Sequence, residues 1–227
     1  MSIFDDYLAQ EKANSDVEMS LTEYLELCKN DPMAYASPAQ RMLKAIGTPV
    51  KIETRNDPRL SRIYGNKIIN QYPAFESFYG MEEVIEQIVA YYTHAAQGLE
   101  ERKQVLYLLG PVGGGKSSLA ERLKQLMEEY PIYAIKDSPV FDNPLNLFNP
   151  GEWGERLEKE YGIPPYAYTG LLSPWAIKRK EELGHDISKV RVVRIKLSVL
   201  HQRGIAKTEP GDENNQDISA LVGKADI

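Results

Sequence analysis

The feature that most constrains this chain is the string Gly110-Pro111-Val112-Gly113-Gly114-Gly115-Lys116-Ser117, which has the spacing G-x-x-x-x-G-K-S. Glycines let the backbone enter conformations closed to residues with a Cβ, so that successive N–H groups converge on one anion. In this pattern the lysine reaches the β- and γ-phosphates of a nucleotide, and the serine hydroxyl binds Mg²⁺. The string predicts a phosphate-binding loop (P-loop), with a ligand-free glycine-rich turn as the alternative.

The residues on both sides of the loop agree with this prediction. A loop of this kind follows a buried strand and precedes a helix whose positive N-terminal end faces the phosphates. Upstream, residues 105–109 form an unbroken apolar run that predicts a strand covered on both faces. Downstream, apolar residues recur at helical spacing from Leu119 to Tyr130. We therefore expect the nucleotide to be bound by Gly110, Gly113, Gly114, Gly115, Lys116, Ser117 and Ser118, with Ser117 also binding the magnesium ion of the nucleotide.

Composition excludes several classes of protein. The 227 residues allow one large α/β domain, and 42% hydrophobic and 26% charged residues are ordinary for a soluble chain. No apolar run is long enough to span a bilayer, and the first residues lack the pattern of a secretory signal, so we expect a cytoplasmic protein without a membrane partner. The net charge of −6 argues against nucleic acid as a partner.

The first part of the chain predicts a small helical extension rather than the start of a sheet. Ser20 and Glu23 form a capping box for a helix that runs through Cys28, the single cysteine, which we interpret as a core residue. A second helix is expected from Ser37 to Gly47.

Residues 48–77 contain three prolines and short apolar pieces, so we interpret them as a solvated connector. Contacts of Arg59, Arg62 and Lys67 with substrate or nucleotide are the alternative.

An amphipathic helix is predicted after Phe78-Tyr79-Gly80, with Gly98 beyond its end. The order of an aromatic pair, a glycine, a helix, a polar linker and a P-loop strand resembles the start of an AAA+ ATPase module. In that module the residues before the glycine pack against adenine, which implies this role for Phe78 and Tyr79. A hydrophobic staple at the helix entry is the alternative.

Beyond the P-loop helix we expect a second strand over 131–135, helices over 153–161 and 175–183, and a half-exposed strand over 190–197. Residues 204–227 are polar and acidic, with a short apolar piece at 218–222.

A complete P-loop ATPase also needs an apolar run that ends in an acidic residue, which holds Mg²⁺ and positions the attacking water. No such run follows Ser117; the nearest approach is 132–137, where Lys136 interrupts the pattern. Asp137 is a candidate acid of the magnesium shell, with a surface aspartate at a strand end as the alternative. Asn66-Lys67-Ile68-Ile69 lacks the aspartate of a guanine-reading N-K-x-D, so ATP is favoured over GTP.

Four stretches together resemble the PrkA family of bacterial serine protein kinases, and the resemblance covers the whole chain. They are Tyr79–Glu83, His94–Gly98, the P-loop, and Gly204–Asp217. The resemblance implies the N-terminal AAA-type region of a longer cytoplasmic protein that ends in a kinase-like region, and it implies ATP-dependent phosphoryl transfer to protein serine.

We accordingly expect an α/β P-loop NTPase fold of AAA+ type, with a three-layered parallel sheet. Residues 1–77 would form a helical N-terminal extension and connector, and residues 78–227 an AAA+ nucleotide-binding domain that is incomplete at its C-terminus. The expected ligands are ATP and Mg²⁺, and the expected partners are an unidentified protein substrate and possible further copies of the chain. Catalytic residues remain unassigned, and the chain by itself is expected neither to hydrolyse ATP appreciably nor to phosphorylate protein. An AAA+ remodelling or proteolytic ATPase and a non-catalytic ATP sensor stay open as alternatives.

Overall fold

The computed structural model describes residues 17–206 together with Phe4. Short 3₁₀ turns and loops connect the main elements, and none of the helices in this part of the chain has the length and apolarity needed to cross a membrane. The helices and strands are β1 (Val17–Ser20), α1 (Leu21–Asn30), α2 (Pro38–Ile46), β2 (Val50–Glu53), α3 (Pro58–Tyr64), β3 (Ile68–Gln71), α4 (Glu82–Ala96), α5 (Lys116–Met127), β4 (Ile132–Ile135), α6 (Pro150–Tyr161), α7 (Pro174–Glu182) and β5 (Arg191–Ile195).

A three-stranded sheet has the order β1-β5-β4, and both pairings are antiparallel. Val192 of the central strand lies opposite Met19 on one side and Ile135 on the other. Arg191 and Arg194 of this strand are exposed and Val192, Val193 and Ile195 are buried, so the strand is partly exposed as predicted but its burial does not strictly alternate. Because β1 lies within the first 77 residues, the interpretation of that part as a helical lead-in outside the sheet is wrong.

Residues 48–77, which we interpret from the sequence as a solvated connector, contain regular structure, and many of them are exposed. Strands β2 and β3 form an antiparallel pair, with Ile52 opposite Ile69. The fully buried Thr54 hydroxyl lies 2.8 Å from the carbonyl oxygen of Lys67 and accepts a hydrogen bond from the Lys67 N–H at 2.9 Å. These bonds hold the two ends of the hairpin together, and Arg59, Arg62 and Lys67 point to the exposed side of this region.

The buried apolar side chains form two main clusters. The sheet cluster joins β5 and the end of β4 to α1, α6 and α7. The helix cluster joins α2, α4 and α5 and includes the turn before α4. The buried members of the sheet cluster include Leu21, Tyr24, Cys28, Ile135, Leu145, Leu157, Ile163, Tyr168 and Val192. Those of the helix cluster include Met42, Ile46, Tyr72, Phe75, Ile85, Ile88, Leu119, Leu123 and Leu126.

Most helix boundaries agree with the sequence signals. Ser20 and Ser37 each cap a helix in a capping box, and Gly47 ends α2 with φ of 76°. The predicted helices at 153–161 and 175–183 are present as α6 and α7. Cys28 is buried in the sheet cluster, which confirms that it is a core residue.

The apolar run 105–109 does not form a strand, and the structure here differs from the prediction. Val105, Tyr107 and Leu109 are 89%, 78% and 84% exposed, while Leu106 and Leu108 pack against the helix cluster. The run has no regular secondary structure, and none of the other described residues pairs with it in a sheet. Within residues 17–206 the paired strands are antiparallel, so the three-layered parallel sheet is not found there.

The boundary proposed after residue 77 stays a prediction. Residues on its N-terminal side contribute β1 and α1 to the sheet cluster and α2 to the helix cluster. The apolar piece predicted at 218–222 lies outside the described residues.

Candidate nucleotide-binding site

The P-loop has the backbone conformation that its glycines predict. Gly113 and Gly115 have φ of 78° and 76°, a left-handed region that L-residues rarely enter. A Cβ on Gly114 would lie 3.1 Å from the carbonyl oxygen of Pro111, because Gly114 turns its N–H back onto that oxygen at 3.2 Å. These glycines therefore shape a tight turn directly before α5.

Helix α5 begins at Lys116, and no side chain caps its first turn. The N–H groups of an uncapped first turn lack intrahelical acceptors, and the positive end of the helix dipole lies beside them. Ser117 and Ser118 are exposed at this position. Buried Leu119, Leu123 and Leu126 fix the helix onto the helix cluster, so the open end is held at a fixed place in the fold.

The Lys116 side chain lies across the loop. Its Nζ donates to the carbonyl oxygens of Gly110 at 2.7 Å and of Pro111 at 2.6 Å. The ammonium group is thus held within the turn. Phosphate oxygens are better acceptors for an ammonium group than neutral carbonyls, because charge-assisted hydrogen bonds are about twice as strong. The loop therefore fits a polyphosphate.

A cavity of about 490 Å³ adjoins the loop, between α4 and the extended run 105–109. Lys116 and Gly110 line its polar side, and Met81, Ile88 and Leu106 are among its apolar walls. The Met81 sulfur lies 3.2 Å from the position that a Cβ on Gly115 would take. Sequence reasoning missed Met81, although its position directly after the Phe78-Tyr79-Gly80 string was a usable signal.

Phe78 and Tyr79 lie apart from this cavity. The Phe78 ring packs edge-on against Phe75, with centroids 6.0 Å apart, within the helix cluster. Tyr79 is 81% exposed. The structure thus places both residues near the start of α4 without lining the P-loop cavity with them, and their contact with adenine stays a prediction.

Asp137 follows β4 in an exposed turn and adopts a positive φ of 65°. Its strand belongs to the three-stranded sheet, where the neighbouring Lys136 Nζ lies 2.7 Å from a Glu18 carboxylate oxygen. In the part of the chain that the structure describes, no three His, Cys, Asp or Glu side chains cluster as metal ligands. The contact of Ser117 with the magnesium ion of the nucleotide stays a prediction.

Comparison with known proteins identifies the family. The family model described as "PrkA AAA domain" matches residues 19–227. The chain belongs to the PrkA AAA domain family. An AAA domain is a P-loop NTPase, and the binding of phosphate by the glycine turn, Lys116 and the open end of α5 stays a prediction.

Two relatives of this PrkA AAA domain carry different names. "Serine/threonine kinase YeaG" of Escherichia coli (strain K12) is 60% identical over 231 residues, which cover 100% of this chain and 36% of the relative. "ATP-dependent protease PrkA" of Bacillus subtilis (strain 168) is 36% identical over 219 residues, which cover 92% of this chain and 32% of the relative. The chain thus spans about a third of the length of these relatives. No solved structure matches the chain.

Proposed function

We propose that this chain binds Mg·ATP through its P-loop, as the nucleotide-binding part of a cytoplasmic serine/threonine protein kinase. The observation that carries the proposal is the left-handed glycine turn that leads into the uncapped start of α5, with the Lys116 ammonium held inside the turn. The kinase name of the relative with 60% identity supports the reaction class.

In this proposal each part of the loop binds one part of the nucleotide. The N–H groups of Gly113, Gly115 and the first turn of α5 donate to phosphate oxygens, while the Gly114 N–H stays on the Pro111 carbonyl oxygen and closes the turn. Lys116 exchanges its two carbonyl acceptors for β- and γ-phosphate oxygens, and the Ser117 hydroxyl contacts Mg²⁺. The bound ion would neutralise charge on the phosphates during transfer. A protein serine, supplied by an unidentified substrate, would accept the phosphoryl group.

We also propose that residues 105–109 form a strand of a parallel three-layered sheet in the longer family members. The alternating exposure of this run is the pattern of a strand with one covered face. Its unpaired backbone groups would bond to strands from the part of the relatives that lies beyond the matched third. The acidic element that completes the magnesium shell would come from the same part.

Proteolysis is the second candidate function, because the Bacillus subtilis relative is named an ATP-dependent protease. Both candidate functions would use the same P-loop. A kinase transfers the γ-phosphoryl group of the nucleotide to protein, whereas an ATP-dependent protease transfers it to water. ATP binding alone therefore cannot separate them.

The test of nucleotide binding is an ATP titration of the parent chain and its Lys116→Ala variant in the presence of Mg²⁺. Loss of a charge-assisted contact costs about 1.5–3 kcal/mol, so the affinity should fall roughly tenfold or more. Lys103→Ala is the matched control, since this exposed lysine pairs with Glu100 away from the loop. Equal titration curves for the parent and Lys116→Ala would refute the proposal.

The position of the base is tested with Tyr79→Ala and Met81→Ala. A residue that contacts adenine should affect ATP and ADP by roughly 1 kcal/mol and leave inorganic triphosphate binding unchanged. An effect of Met81→Ala alone would place the base in the cavity beside α4. An effect of Tyr79→Ala alone would support the resemblance-based assignment, and an equal loss for triphosphate would assign the residue to packing.

The reaction is tested on a full-length family member with the same P-loop lysine replaced. Radiolabel transfer from γ-labelled ATP to a protein acceptor, lost in the lysine variant, supports the kinase. Release of peptides that requires ATP hydrolysis, without label transfer, supports the protease. The 227-residue chain alone is expected to show neither activity at a rate near a typical kinase turnover of about 1–100 s⁻¹.

A further inference from the structure

A cleft on the other side of α2 from the P-loop helix contains an arginine with unusually few partners. Arg41 of α2 is partly buried, and its Nη1 donates to the carbonyl oxygen of Ala36 at 2.5 Å. Its Nε is buried and has no hydrogen-bond partner among the described residues. None of the ion pairs of residues 17–206 includes Arg41, and burial lowers the pKa of its guanidinium below the ordinary value. A buried cation without an anion is costly, so this arrangement calls for an explanation.

A second orphaned donor lines the same cleft. Tyr168 is only 4% exposed, and its hydroxyl has no hydrogen-bond partner in the described part of the chain. Burial raises the pKa of this hydroxyl, so the group stays protonated and able to donate near neutral pH. Buried tyrosine hydroxyls usually have a partner. Arg41 and Tyr168 both line one cavity of about 320 Å³.

Two asparagines of the cleft also present donors. The Asn146 Oδ1 accepts hydrogen bonds from the Thr169 and Gly170 N–H groups at 3.0 and 3.3 Å, which fixes its amide orientation. Asn143 Oδ1 likewise accepts from the Leu145 N–H at 3.0 Å. Both asparagines line the cleft, and their NH₂ groups keep their donor capacity.

The charge of the cleft is positive. Arg102 lines it in addition to Arg41, and none of the described residues in its lining is Asp or Glu. The acidic neighbours of Arg102 are engaged elsewhere: Glu100 pairs with Lys103, and Glu101 lies 3.0 Å from His94 Nδ1. Arg102 also lines an adjoining groove of about 720 Å³, so the cleft is continuous with a larger surface feature.

We propose that this cleft is a second anion site, distinct from the P-loop, which binds the phosphoryl or carboxylate group of a ligand through Arg41, Tyr168 and Arg102. An oxyanion satisfies all of the observations at once, because it has several acceptor lone pairs and a charge opposite to that of the cleft. The guanidinium Nε and the Tyr168 hydroxyl are the donors that a planar or tetrahedral oxyanion would take up. A neutral ligand would leave the Arg41 charge uncompensated.

The test follows the Arg41 Nε–Hε resonance in ¹⁵N-labelled protein while inorganic phosphate or acetate is added. The Lys116→Ala background removes the P-loop lysine, so that phosphate bound there does not interfere. We expect a saturable shift of this resonance. Tyr168→Phe should weaken the affinity about tenfold, which is the effect of losing one hydrogen bond to a charged group. Its melting temperature should stay the same or rise, because the deleted hydroxyl has no partner in the folded chain.

Tyr161→Phe is the matched control, since this tyrosine packs on the sheet cluster but does not line the cleft. It should leave the affinity unchanged. Tighter binding of phosphate than of acetate would identify a phosphoryl ligand, and the reverse would identify a carboxylate. An unchanged Arg41 resonance with both anions, or the same affinity in the parent and Tyr168→Phe, would overturn the proposal.

Discussion

The sheet cluster and the helix cluster differ in how completely they are covered. In the sheet cluster the central strand β5 has a partner on each side, and Val192, Leu145 and Ile163 are fully buried. In the helix cluster one wall is the extended run 105–109, which buries alternate side chains and leaves the others exposed. This difference in coverage shows that a P-loop domain has two separate structural requirements. The loop is built from local backbone chemistry, whereas its strand needs partners from distant sequence.

The largest expected effect comes from a leucine-to-alanine substitution in the sheet cluster, and the same substitution in the run 105–109 tests the difference in coverage. Leu145→Ala empties a fully buried site and should lower the free energy of unfolding by roughly 2–5 kcal/mol. Leu109→Ala removes a side chain that is largely exposed, so its effect should stay within about 0.5 kcal/mol. Urea unfolding followed by circular dichroism measures both. An equal cost at the two positions would show that the run 105–109 is covered in solution, which would break the comparison.

Local signals predicted much of this structure. The capping boxes at Ser20 and Ser37 and the glycine spacing of the P-loop each act within one turn of chain, so that spacing alone specifies them. The core position of Cys28 followed from helical periodicity in the same way.

Long-range pairing was not predicted. Strand β1 has four residues of mixed polarity, and its partner β5 lies more than a hundred residues later in the sequence. The pair β2 and β3 lies in a stretch where prolines favoured a connector. For residues 105–109 the apolar run predicted a strand covered on both faces, but the described part of the chain has no strand there and alternate side chains are exposed. A run of this kind contains no information on which strands pair with it.

The same difference between local signals and long-range contacts applies to the candidate site. The residues of the P-loop are where the spacing places them, because glycine conformation and helix capping are local. Met81 and the anion cleft around Arg41 were missed, since the contacts of both depend on how α2 and α4 pack in space.

A second test concerns the polar contacts that close the sheet cluster. The buried Asp142 carboxylate accepts hydrogen bonds from the Ser138 hydroxyl at 2.8 Å and from the Ser173 N–H and hydroxyl at 2.9 and 2.6 Å. It thereby ties the loop after β4 to the start of α7. Asp142→Ala should cost about 2–3 kcal/mol, because it removes a charged acceptor and leaves buried donors unsatisfied. The measurement is again urea unfolding.

Asp137→Asn is the control for Asp142→Ala, since Asp137 is exposed in the same loop and asparagine tolerates its positive φ. Its stability should change by no more than about 0.5 kcal/mol. The same variant also tests the magnesium assignment. A loss of Mg²⁺-dependent ATP affinity in Asp137→Asn, with stability unchanged, would place this carboxylate near the nucleotide and thus join the sheet to the P-loop.

The smallest expected effect lies at the exposed edge of the sheet, where Glu18 of β1 joins all three strands. Its carboxylate lies 2.7 Å from Lys136 Nζ, beyond β4, and 2.9 Å from Arg191 Nε on β5. Hydrogen bonds from Lys136 and then Arg191 lower the pKa of Glu18 below its ordinary value of 4.5. A lowered pKa means that the folded chain binds this proton less readily than the unfolded chain. The contribution of Glu18 to stability is therefore present above about pH 4.5 and is lost as the pH falls through the lowered value.

Glu18→Gln should accordingly show a shallower loss of stability than the parent as the pH falls below about 4.5, and a slightly lower stability at pH 7. Because the pair is exposed, salt at about 1 M should reduce the difference between the two proteins. Glu26→Gln, an exposed position on α1 without an ion pair among the described residues, controls for the general effect of removing a carboxylate. Identical pH profiles for Glu18→Gln and Glu26→Gln would mean that β1 is held by backbone pairing alone, as a short antiparallel strand beside a central strand can be.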